Sequence, residues 1–106
     1  MKSETIEQIE ERLVKGLLDV VILGRLTKGR PLGGSDVILL INHELGILLS
    51  AGTVYSVLNS LERQGLIVGA LEGRKTVYLL TDKGKENIKD ISSAKHRITS
   101  LVSSLF

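Results

Sequence analysis

The chain has no cysteine and no tryptophan, and only one proline, one phenylalanine and two tyrosines. Without cysteine there is neither a disulfide framework nor a thiolate metal site, which agrees with a reducing compartment. Aromatic residues at 3% leave little material for a ring-lined ligand pocket, so the core has to be built from Leu, Ile and Val. Long apolar runs are missing as well. The richest, Leu17 to Leu26, is broken by Asp19 and falls far short of a membrane span. The start, MKSETIEQIEERL, is acidic and has no apolar export segment. The expectation is a cytoplasmic protein that contacts no membrane.

Catalytic signatures are scarce too. His43 and His96 stand alone, so each is expected to be a surface or interface histidine rather than a metal ligand. Glu10 and Glu11 are adjacent and point to different helix sides, which makes no acid/base pair. The segment GGS lacks the lysine and spacing of a phosphate-binding loop, and no nucleophile elbow occurs. No enzyme, cofactor or metal is expected.

What is present suits one compact unit. The 106 residues are 42% apolar and 25% charged, enough for one modest core. The single domain, 1–106, divides into residues 1–80 and a terminal helix, 81–106. Net charge is only +2, but residues 1–24 carry three basic and five acidic groups, whereas residues 73–106 carry seven basic and three acidic. A positive back third suits a polyanionic partner.

Ser3 or Thr5 can cap a first helix, in which Ile6, Ile9, Leu13, Leu17 and Val20 recur at steps of three and four, reaching about Lys28. Its second half, LLDVVILGRL, is apolar nearly all round and should be the most buried element. KGRPLGG reads as a loop ending at Ser35, an expected N-cap, and SDVILLINHEL as a second helix stopped by a left-handed Gly46. Only GILL separates it from Ser50, the next N-cap, so Ile47 to Leu49 are expected to be largely buried in a tight turn. The third helix, Ser50 to Gln64, puts Val54, Val57, Leu58 and Leu61 on one arc and Gly52, Ser56, Asn59, Ser60 and Arg63 on the other. LIVGAL and TVYLL around EGRK form a hairpin signature. Thr81 then caps a last helix whose Ile91, Ala94, Ile98, Leu101 and Leu105 follow the spacing of a coiled-coil seam, with Ile88 one turn earlier.

Helix, helix, helix, hairpin, helix, with a tight turn between the second and third helices, describes a winged helix-turn-helix: mainly α (α+β), a three-helix core with a two-stranded wing and a long C-terminal dimerisation helix. LSAGTVYSVLNSLERQGLI followed by YLLTDKGKE resembles the PadR family of transcription regulators, over about Leu17 to Ile88. Ala51 stands where that family usually has proline. The resemblance implies a repressor that occupies promoter DNA.

The third helix can enter a major groove on a face that is low early, at Gly52 and Ser56, and reads bases later, with Asn59 suited to adenine and Arg63 to guanine or a phosphate. N–H groups after Ser50, near Gly52 and Thr53, can meet a phosphate. Ser60 lies on the same face. Tyr55 flanks it and is expected to pack its ring while keeping a wet hydroxyl. Arg74 and Lys75, at the hairpin tip, are expected to meet the minor groove or the DNA backbone. The expected partners are double-stranded DNA and a second copy of the chain, joined through Ile88, Ile91, Ala94, Ile98, Leu101 and Leu105. The residues leave the operator and any small-molecule effector open. They also leave open a non-specific DNA coater and a winged-helix protein-interaction module.

Overall fold

The computed structural model describes residues 3–106; the first two residues of the acidic start lie outside them. Eight elements follow in order: α1 (Glu4–Gly16), α2 (Leu18–Leu26), α3 (Gly34–Leu45), α4 (Ala51–Arg63), β1 (Ile67–Glu72), β2 (Lys75–Leu80), α5 (Asp82–Ser93) and α6 (Lys95–Ser104). This is the winged helix-turn-helix expected of the sequence, with more joints.

Ser3 caps α1 by accepting a hydrogen bond from the Ile6 N–H at 3.2 Å. The expected single helix to Lys28 is instead two, joined at Leu17, whose φ of −114° and ψ of 18° leave the helical region. The hydrogen-bond ladder runs through the joint: Leu17 N–H donates to Leu13 and Val21 N–H to Leu17. The axis therefore bends without a loop, next to Gly16, a weak helix former. A second joint, at Ala94 (φ −97°, ψ 5°), divides the expected last helix into α5 and α6. The Ile98 N–H bonded to Ala94 C=O again carries the ladder across.

α2 is the centre of the core, as its all-round apolar character requires. Leu18, Ile22, Leu23 and Leu26 are buried against Val37 and Ile41 of α3, Val54, Leu58 and Leu61 of α4, and Ile67 and Tyr78 of the hairpin. Val57, expected among them, is only partly covered. The N-cap of α3 is Gly33 rather than Ser35. Asp36 lies three residues into the helix and accepts the Gly33 N–H at 2.7 Å, so an acidic side chain inside the first turn does the work assigned to a serine outside it. Gly46 ends α3 in the left-handed region at φ 67°, as expected. In the turn that follows, Leu49 is buried but Leu48 is 73% exposed. The turn is too short to carry three consecutive side chains into one core.

β1 and β2 pair antiparallel from Ile67↔Leu80 to Glu72↔Lys75, around a two-residue turn. Gly73, at φ 66°, holds the position in that turn where a side chain would be strained. Leu32, in the loop before α3, also pairs with Tyr78 of β2 through two backbone hydrogen bonds, of 2.8 and 3.2 Å. The wing thus has a third, one-residue partner at its base, which no local pattern in KGRPLGG announces.

Candidate nucleic-acid interface

α4 is held from below and open above. Ser50 caps it, accepting the Thr53 N–H at 3.2 Å, while its own hydroxyl donates to Thr53 Oγ1 at 2.9 Å. Both hydroxyls are thus engaged with each other at the helix start, and Thr53 is half-buried. The exposed face consists of Gly52, Ser56, Asn59 and Arg63. A side chain added at Gly52 would meet nothing within 4 Å. Asn59 and Arg63 make no side-chain hydrogen bond or ion pair among the described residues. Their donors and acceptors are available to something outside the chain.

The flanks are occupied. Tyr55 lays its ring against Gly34 at the start of α3, so tightly that a Cβ on Gly34 would come within 2.4 Å of the ring. It packs, as expected, and the residue is still 43% exposed. Glu62, on the same side, accepts the Gly69 N–H of β1 at 3.1 Å and ties the wing to α4. On the other flank Ser60 is half-buried and accepts from Gln64 Nε2 at 3.1 Å, facing the joint between α1 and α2.

The wing residues separate. Arg74 is exposed in the turn. Lys75 reaches back from β2 to pair with Asp36 at 2.6 Å, so one carboxylate caps α3 and anchors the hairpin. The lysine hydrogen bond, then that of the Gly33 N–H, holds the Asp36 carboxyl below its ordinary value against partial desolvation, and the charges of Lys75 and Arg30 add to the effect. Burial, followed by the nearby Glu62 and Tyr55, pushes the Tyr78 phenol up. The sequence pattern does not single out Asp36; an acid in the first turn of a helix is its only local signal.

Of the seam residues, Ile88 is buried in the domain's own core and Ile91 packs partly against it. Ile88 is therefore not available to a partner, because α5 lies on α2 before the chain bends at Ala94. Ile98, Leu101 and Leu105 are exposed, Leu101 by 61%. Most apolar residues of α1, Ile6, Ile9 and Leu13, are exposed as well, as is Leu17 at the joint, while Val14 packs partly against the core. His43 and His96 lie at the surface, and no group of three or more His, Asp or Glu among the described residues is arranged to hold a metal ion. No helix among the described residues is long and apolar enough to cross a membrane.

The family model for the transcriptional regulator PadR-like family matches residues 22–90, well over half of the chain. The chain belongs to the PadR-like family. The match covers α3, α4 and the hairpin and leaves out α1 and α6. None of the curated proteins matches the chain. Among solved structures, a protein of Thermoplasma acidophilum described as a transcriptional regulator is 29% identical, over 90% of this chain and 93% of its own, with a TM-score of 0.74. A PadR-like transcriptional regulator of Bacillus cereus is 25% identical over 89% and 95%, with a TM-score of 0.75. PadR of Bacillus subtilis, solved in complex with operator DNA, is 32% identical over 70% of this chain and 46% of its own, with a TM-score of 0.60.

Proposed function

We propose that this PadR-like protein is a sequence-specific DNA-binding repressor that occupies a pseudo-palindromic promoter site as a homodimer. The observation that carries the reading is the face of α4: low at Gly52 and Ser56, with Asn59 and Arg63 unengaged beyond them. Asn and Arg are the side chains that pair bidentately with adenine and guanine edges, each good pair being worth about 1–3 kcal/mol of discrimination. The B. subtilis relative in complex with operator DNA supports the same use of the fold.

What the fold leaves uncovered supports the dimeric reading. α1 and α6 bury no residue, and helices this short are marginal in water without a packed face. Their exposed apolar residues, Ile6, Ile9 and Leu13 on one and Ile98, Leu101 and Leu105 on the other, supply that face for a second copy. The acidic α1 also complements Lys89, Lys95 and Arg97. Two-fold symmetry would set the two α4 helices about one DNA turn apart, roughly 34 Å.

Arg74 supplies charge from the turn, with little base reading, while Lys75 steadies the wing through Asp36. A mobility-shift assay with the protein's own upstream region, a scrambled competitor and a salt series tests the assignment. Asn59→Ala should lose preference for operator over random DNA, and Arg74→Ala should weaken both alike, lowering the salt slope by about 0.9 per contact. Equal affinity of the wild type for both DNAs would make it a non-specific coater. No binding at low salt would make it a protein-interaction module.

A further inference from the structure

Beside α4, on the flank away from the wing, a cleft of about 310 Å³ opens against the joint between α1 and α2. Lys15, Gly16 and Asp19 form one wall, and Ser56, Ser60 and Gln64 the other. The cleft therefore shares Ser56 and Ser60 with the face of α4 and adds a cation from an element outside the matched family region. The geometry points to a second phosphate-binding arm: Lys15 holds a backbone phosphate of the DNA strand opposite the one met by the wing.

Three observations support this, given the DNA-binding reading on which it rests. Among the described residues Lys15 is paired only with Glu11, one helical turn back at 2.8 Å, and both side chains are nearly half exposed. Such a pair is worth little and is readily replaced by a phosphate. Gly16 next to it is exposed, and a Cβ placed there would meet nothing within 4 Å, so a sugar-phosphate strand can approach the backbone closely. The opposite flank is closed by Glu62 on Gly69 and Tyr55 on Gly34, which puts the wing against one wall of a groove occupied by α4 and the α1–α2 joint against the other. Asp19 in the same cleft accepts the Val20 N–H at 2.8 Å and keeps its charge turned to any incoming phosphate, so the contact is made at the rim and is weaker than Lys15 alone would make it.

The test uses the full-length protein in a salt series on operator and on random DNA, with Lys15→Gln and Asp19→Asn. Lys15→Gln should weaken both DNAs by the same factor and lower the salt slope by about 0.9 per subunit, while Asp19→Asn, which keeps an acceptor for the Val20 N–H, should tighten both. A slope unchanged by Lys15→Gln, or weaker binding by Asp19→Asn, in a wild type that binds DNA overturns this arm and leaves the α4 assignment standing. A wild type that does not bind DNA removes both.

Discussion

Asp36 does two jobs with one carboxylate, and both depend on its charge. Its folded-state pKa lies below the ordinary 3.8, so its stabilisation is fully present above that value and is lost as pH falls through the lower, folded one. The pair with Lys75 is partly solvated, at 45% and 34% side-chain exposure, and counts as a surface pair. Asp36→Asn should therefore lower stability at pH 7 by about 0.5–1 kcal/mol. In denaturant titrations the difference from wild type should vanish well below pH 3.8. Gly84 is less forgiving. A Cβ there would run into the carbonyl oxygen of Leu66 and come within 3.1 Å of Leu80. Gly84→Ala should cost about 1–3 kcal/mol, a fall of roughly 4–8 °C in melting temperature per kcal/mol for a domain of this size. Neither residue was legible beforehand. Ser50, Gly46 and the outer face of α4 were, because caps and helical faces depend on neighbours within one or two turns. Asp36 and Gly84 depend on partners that only the tertiary fold supplies.

The elements themselves were largely readable, and their misreadings share one cause. Apolar spacing of three and four reports a helical face, and it continues through a bend as long as the hydrogen-bond ladder does. The joints at Leu17 and Ala94 keep that ladder, so α1 with α2, and α5 with α6, each read as one helix. The start of α4 allows a sharper expectation. Ser50 has φ −73° and ψ 152°, the extended conformation favoured before a proline, and Ala51 is the first helical residue, whose N–H has no intrahelical acceptor. Ala51→Pro should therefore be accepted without strain and stabilise by about 0.4–1 kcal/mol through the unfolded chain. A melting temperature below wild type would show that the Ala51 N–H is engaged after all.

At the scale of the whole molecule, the core accounts for α2 to α5 and leaves both terminal helices with apolar residues in solvent. The melting temperature should therefore rise with protein concentration, as for any subunit whose outer helices fold against a copy. Leu101→Glu should yield a monomer by light scattering and abolish that dependence; a dimeric Leu101→Glu would mean that α6 is not in the interface. One small feature reaches across the sequence as well. The Leu32–Tyr78 pairing ties the loop between α2 and α3 to the hairpin, so the Leu32 amide cannot be released by fraying of either neighbouring helix. In heavy water it should exchange as slowly as the core helices do, an island of protection in a glycine-rich loop, with deuterium entering there only when the whole domain opens.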